Sequence, residues 1–215
     1  SGVMQVRGVP AKAAFPSSFS YGNDAVETVS YDPEGAKKLL EESGWTDTDG
    51  DGYVDKDGQK LSINWLTYPT RLEQPKLAEY AQATLKDIGI DVVVNNTSDH
   101  MTIAKSGDFD VYVSSTTTAP TGDPEYFFTS TVTGAKNYGN YQNEEVTKLT
   151  DQLHQTFDKD ERAKLAVELQ QDILDDDAFF FVSHLNMGIV TKSNVIGMAA
   201  HPCDYYEITA DLDVK

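Results

Sequence analysis

The residues best suited to chemistry lie between Asp47 and Asp55, where the chain reads Asp47-Thr48-Asp49-Gly50-Asp51-Gly52-Tyr53-Val54-Asp55. Carboxylates at alternate positions, followed by glycine at the sixth, match the first half of a calcium-binding EF-hand loop. Asp47, Asp49, Asp51 and Asp55 are the candidate ligands. The twelfth position, where a bidentate Glu belongs, is Gly58, and a strand pattern follows instead of a helix. Losing that carboxylate removes two of the oxygens a calcium ion needs, so tight binding is not expected. The competing reading is an acidic turn stitched by its own Asx hydrogen bonds.

The four histidines are His100, His154, His184 and His201. None stands at metal-ligand spacing from another His or from Cys203, and His201-Pro202-Cys203 is too short to chelate. His154 lies between Leu153 and Gln155 on a predicted helix and is expected at the surface. His184 follows an aromatic run directly, a position from which it can face a cleft. No nucleophile elbow, zinc-protease motif, phosphate loop or dinucleotide fingerprint occurs in the sequence. Carboxylates are so numerous that no pair stands out as acid and base. The residues argue for no enzyme and imply no cofactor.

The elements that position these residues follow from periodicity and caps. Residues 1–30 have no period and read as irregular chain. Asp32 as N-cap, Pro33 at the first helical position and the stripe Ala36, Leu39, Leu40 predict a helix stopped at Gly44. Leu61–Leu66 alternates as a strand. A helix after Pro69 places Leu77, Ala81, Leu85 and Ile88 on one face and ends at Gly89. The strand Ile90–Val94, a short helix at His100–Ala104 and the strand Phe109–Val113 follow. This βαβ spacing predicts an α/β fold with an at least partly parallel sheet. From Ser114 to Asn143 the chain is a polar loop carrying Thr116, Thr117 and Thr118. Two capped helices come next. Asn143 opens one with Val146, Leu149, Leu153 and Phe157 inward, and Asp158 opens the other with Leu165, Leu169 and Ile173 inward. Ala178–Val182 is expected as a buried strand, Met187–Thr191 as another, and Asp175-Asp176-Asp177 as a solvated run.

Composition narrows the function classes. The 215 residues carry 17 Lys plus Arg against 35 Asp plus Glu, a formal charge of −18. Such a surplus repels phosphate backbones and anionic headgroups, which excludes nucleic acid as a partner. No apolar run reaches the roughly 20 residues of a membrane span. Cys203 is the only cysteine, so no internal disulfide forms, and the chain shows no targeting signal.

Several motifs go further. Tyr31-Asp32-Pro33-Glu34-Gly35-Ala36-Lys37-Lys38-Leu39-Leu40-Glu41-Glu42-Ser43-Gly44-Trp45 is similar to the Tyr-Asp-Pro-x-x-Ala-Lys-x-Leu-Leu-x-x-x-Gly-Trp signature of the peptide/nickel family of ABC-transporter solute-binding proteins, family 5. Further matches are Leu85-Lys86-Asp87-Ile88-Gly89-Ile90-Asp91-Val92, Gly107-Asp108-Phe109-Asp110, Gly122-Asp123-Pro124, Asn140-Tyr141-x-Asn143, Asp160-Glu161-Arg162 and Gln170 to Ala178.

The resemblance implies a periplasmic-binding-protein-like lobe with a mixed, partly parallel sheet flanked by helices. Members have two lobes that close on a ligand, and this chain resembles the C-terminal half. Residues 1–30 would enter the lobe, 31–185 form it, and 186–215 return to the other lobe. The upstream signal peptide would lie with the first lobe.

Peptide-binding members carry an Asp three residues before the Asp-Pro pair, where it holds the peptide's α-ammonium. Here that position is Pro120. The tail Val195-Ile196-Gly197-Met198 and His201 to Thr209 is more similar to nickel or metallophore binders. The resemblance therefore implies capture of a nickel chelate, with an oligopeptide or dipeptide as the alternative. It also implies an ABC permease as partner, a monomer, and a place outside the cytoplasm, periplasmic or lipid-anchored. Ligand contacts are expected from loops at strand ends: Thr116, Thr117, Thr118, Tyr126, Tyr138, Tyr141 and His184. The rival of another class is an acidic hydrolase with no recognisable motif.

Overall fold

The structure, a computed structural model, describes residues 8–186, 188–200 and 208–215. The chain divides into two compact units. One is built from the chain up to Thr28 and from Thr116 onward, the other from Val29–Ser115. Strand β1 (Gly8–Pro10) opens the first unit.

The second unit begins with helix α1 (Pro33–Glu42), where the Asp32 side chain accepts a bond from the Gly35 amide at 2.9 Å. The stripe residue Leu39 is 65% exposed, so α1 covers little core. Strands β2 (Asp55–Lys56) and β3 (Gln59–Lys60) form a hairpin over Asp57 and Gly58, both at positive φ as such a tight turn requires.

Then come β4 (Ser62–Thr67), α2 (Glu73–Lys86), β5 (Asp91–Asn96), α3 (His100–Ser106) and β6 (Val111–Tyr112). Strand β4 pairs in parallel with β5 on one side and with β6 on the other, giving the order β5-β4-β6. The expected parallel sheet is present, although its third strand keeps two residues of the five predicted. Gly89 ends α2 at φ +82°; a Cβ there would meet the Val54 side chain at 2.9 Å, while its carbonyl accepts the Val54 amide at 2.7 Å. Leu66, Tyr68, Ala78, Ile90, Val92 and Ala104 are the buried apolar residues described in this unit.

The first unit resumes with α4 (Glu125–Phe127), which runs into a π-helical turn at Phe128–Val132. Helices α5 (Glu144–Gln155) and α6 (Lys159–Asp175) follow, capped by Asn143 and Asp158 as their sequences predict. Strand β7 (Ser183–Leu185) pairs antiparallel with β1, and β8 (Val195–Ile196) with β9 (Asp213–Val214). Val146, Leu149, Leu153, Leu165, Leu169 and Ile173 are buried from the two helices against Phe15, Phe127 and Phe128. Gln170, fully buried, donates to the carbonyls of Tyr21 (2.7 Å) and Ala166 (2.9 Å) and accepts from the Ala14 amide (3.2 Å).

Three expectations are corrected. Residues 178–182 are not a strand: Phe179 and Phe181 pack on the core, Phe180 is 82% exposed, and the ladder forms one step later at β7. Phe157 is 92% exposed because α5 stops at Gln155 and the helical period no longer applies. Residues 188–191 form no strand, and Met187 lies outside the described residues. Among the described residues, no helix is long and apolar enough to cross a membrane.

The C-terminal turns of α6 concentrate like charge. Partial burial raises the Asp172 carboxyl above its ordinary range, and Glu168, Asp175, Asp176 and Glu145 push it further. A carboxyl raised in the folded state favours folding while protonated, and that favour is lost as pH rises through its folded value. At neutral pH the charged Asp172 therefore opposes folding. Asp172→Asn is expected to stabilise the protein by about 0.2–0.5 kcal/mol at pH 7, the scale of a like-charge pair one turn apart. The gain should vanish in urea melts below the ordinary Asp range, where both variants are neutral. A loss of stability at pH 7 would contradict this.

Candidate ligand-binding site

The expected ligand residues fall into separate places. Thr116 and Thr117 are exposed and Thr118 is half-buried, on the loop where the chain passes from one compact unit to the other. Tyr126, on α4, is 37% exposed; its hydroxyl accepts the Lys136 ammonium at 2.9 Å, and that ammonium sits 5.2 Å from the ring centre. Tyr138 is half-buried in the turn before Tyr141. The Tyr141 backbone is pinned by the Asn137 amide side chain at 2.8 and 3.0 Å. Its hydroxyl donates to Asp176 at 2.5 Å; burial and that carboxylate push the phenol up, so it stays protonated.

His184 sits in β7 with Nε2 at 3.1 Å from Asn23 Oδ1. Asn23 Oδ1 also accepts the Lys12 and Ala13 amides while its Nδ2 donates to Pro10, which fixes its orientation and puts a proton on His184 Nε2. Burial lowers the His184 pKa. The ring knits the first unit together and offers its Nε2 to Asn23 rather than to a cleft.

A shallow polar cleft of about 830 Å³ runs beside the start of α5, lined by Asn137, Asn140, Tyr141, Gln142 and Thr147 among others. Of the expected ligand residues, it gathers only Tyr141.

Sequence reasoning missed an ion network beside the polar loop. All five N–H groups of Arg162 are used: Nε and Nη2 grip the Asp123 carboxylate at 3.0 and 2.6 Å, Nη2 reaches Glu125 at 2.9 Å, and Nη1 caps the carbonyls of Leu153 and Thr156 at 2.6 and 2.7 Å. His154, exposed as expected, touches Glu125 at 2.6 Å. Burial alone would push the Glu125 carboxyl up, but bonds from His154 and Arg162 outweigh it and hold the carboxyl below its ordinary range. The signal lay in two motifs, Gly122-Asp123-Pro124 and Asp160-Glu161-Arg162, which the fold brings into one contact.

In the second unit, the chain reverses direction across the sheet between β4 and β6, the place where open α/β sheets take ligands at their strand ends. There the Tyr68 hydroxyl accepts the Ser115 amide at 3.2 Å, the His100 ring stacks on Tyr68 at 4.1 Å, and His100 Nδ1 meets the Tyr112 hydroxyl at 2.8 Å. Among the described residues, Trp65 Nε1, Thr67 Oγ1 and Gln74 Oε1 are buried without a hydrogen-bond partner.

The acidic turn is stitched by its own hydrogen bonds, with the Gly50 and Gly52 amides on Asp47 at 2.7 and 3.0 Å and the Thr48 hydroxyl on Asp55 at 2.6 Å. Oxygens of Asp47, Asp49 and Asp55 lie within 4.8 Å of one another, while Asp51 turns to Lys60 at 2.5 Å.

The model of the bacterial extracellular solute-binding proteins, family 5 (middle region), matches residues 1–139. The chain belongs to this family. It is 30% identical over 200 residues to the oligopeptide-binding protein AppA of Bacillus subtilis, covering 90% of this chain and 37% of AppA. The structure of AppA in complex with a nonapeptide superposes with a TM-score of 0.80 at 27% identity, over 95% of this chain and 42% of AppA. The nickel-binding periplasmic protein of Escherichia coli is 27% identical over 191 residues, 85% of this chain and 36% of that protein. NikA of Staphylococcus aureus in complex with Ni(L-His)2 superposes with a TM-score of 0.77 at 25% identity, over 98% of this chain and 44% of NikA. The chain thus spans a little over a third of the length of these two curated relatives, and its fold is the periplasmic-binding-protein-like α/β lobe of this family.

Proposed function

We propose that this chain is the ligand-contacting C-terminal lobe of a solute-binding protein that captures a small solute outside the cytoplasm and delivers it to an ABC permease. The observation that carries this reading is family membership. Residues 31–185 would form the lobe, residues 1–30 lead into it, and residues 186–215 return to the other lobe. The work is capture, closure of the two lobes and release, with no covalent step. The protein acts as a monomer, in the periplasm or held by lipid at the outer face of the membrane.

A nickel chelate is the favoured cargo. Pro120, buried, replaces the carboxylate that would hold a peptide's α-ammonium, and the neighbouring carboxylates Asp123 and Glu125 are already bound by Arg162. Binding of an oligopeptide is the second reading, favoured by the similarity to AppA. Thr116, Thr117 and Thr118, with Tyr126, Tyr138 and Tyr141, would supply hydroxyls and rings to such a ligand.

In the two-lobed protein, Thr117→Ala and Tyr138→Ala are each expected to weaken binding about tenfold, the effect of losing one hydrogen bond of about 1.4 kcal/mol. Calorimetry with nickel–histidine and with a nonapeptide measures this and separates the two cargoes. Affinity unchanged in both variants would remove these residues from the site.

A further inference from the structure

The segment from Thr116 to Glu125 has little regular structure of its own. Its far end, however, is tied down firmly. The Tyr21 hydroxyl donates to the Gly122 carbonyl at 2.8 Å, the Gly122 amide closes a turn on Ala119 at 3.0 Å, and the Glu125 amide is held by Asp123 at 2.9 Å. Asp123 is in turn gripped by two nitrogens of Arg162.

Arg162 has a side chain only 14% exposed and has no N–H left to give. Two of its donors end on carbonyls of the last turn of α5 and the residue after it, Leu153 and Thr156, and its Cα lies in the first turn of α6. The guanidinium therefore joins three pieces of chain: the end of α5, the start of α6 and the Asp123–Glu125 turn. A Lys in its place would keep the charge, but a single ammonium with three donors cannot reproduce the planar grip on Asp123 and cap two carbonyls as well.

We propose that Arg162 is a positioning residue: acting through Asp123, it fixes the C-terminal anchor of the polar segment and so sets where Thr116, Thr117 and Thr118 are presented. The functional consequence rests on the reading of those threonines as ligand contacts. The positioning itself is testable without any ligand.

The test is residue-resolved amide hydrogen exchange on the 215-residue chain, comparing wild type with Arg162→Lys and Asp123→Asn. Both variants avoid the full truncation Arg162→Ala, which leaves the Asp123 and Glu125 carboxylates without their cation and puts folding itself at risk. The expected result is exchange at the Gly122 and Glu125 amides faster by at least about tenfold in both, as befits the loss of charge-assisted bonds, with the amides of Leu149 and Leu169 at wild-type rates. Unchanged exchange at Gly122 and Glu125, or an equal rise throughout α5 and α6, overturns the proposal. Titrating nickel–histidine or a nonapeptide into the two-lobed protein carrying the same substitutions separates the two claims. Faster exchange at the anchor with unaltered ligand affinity leaves the positioning role standing and removes the threonines from the ligand site.

Discussion

The isolated chain is expected to fold as a monomer, yet to bind nickel chelates and short peptides no more tightly than about 1 mM. The expectation of folding follows from the contiguous apolar core of the first unit and the parallel βαβ sheet of the second. The expectation of weak binding follows from lobe closure. A ligand enclosed by two lobes is desolvated from both sides, and one lobe supplies about half of the contacts. Each ~1.4 kcal/mol withheld is a tenfold loss, so a ligand held micromolar or tighter by both lobes falls by several orders of magnitude with one. Calorimetry and analytical ultracentrifugation on residues 1–215 test both parts. Micromolar affinity in this chain would place the whole site in one lobe and end the closure argument.

The second large effect concerns stability. Phe15 is fully buried, with ring centres of Tyr21, Phe127 and Phe128 at 5.0, 6.0 and 6.0 Å. Phe15→Ala removes a large side chain from a site with no room to collapse and is expected to cost about 3–5 kcal/mol in urea unfolding. Phe180→Ala, at an 82% exposed position, should fall within about 0.5 kcal/mol of wild type. Equal costs for the two would mean that residues 178–182 pack as the buried strand their composition suggests.

What was legible in the sequence was local. The helix starts at Asp32, Asn143 and Asp158 could be read because a cap is a side chain bonding amides two or three residues on. The parallel sheet could be read because apolar strands alternate with an amphipathic helix at βαβ spacing. The pairing of β1 with β7 could not, since Ser183 bonds the Val9 carbonyl 174 residues away and three residues of strand carry no period. The Phe179–Phe181 run misled because two of its rings do face inward, although no strand among the described residues pairs with it. Phe157 misled because the helical pattern continues beyond the last helical residue.

The site was legible only as a family likeness. Thr116–Thr118 and the tyrosines were candidates by residue type, and the structure leaves Tyr126, Tyr141 and His184 engaged with Lys136, Asp176 and Asn23. The Arg162–Asp123 contact spans 39 residues and has no spacing rule to reveal it.

The bonds from Gln170 to Tyr21 and Ala14 bear on how the molecule is made. They join residues 149 and 156 positions apart, so the opening segment has no core to enter until α6 has been synthesised. At roughly 5–20 residues per second, that interval is about 8–30 s. Meanwhile every residue of the inserted unit, Val29–Ser115, has already been made and can close on its own contacts. Phe15 and Tyr21 spend that interval as exposed aromatic chain, the state most open to a holding chaperone or to aggregation. Within this chain, residues 14–21 find their place only after the inserted unit and α6 have been made.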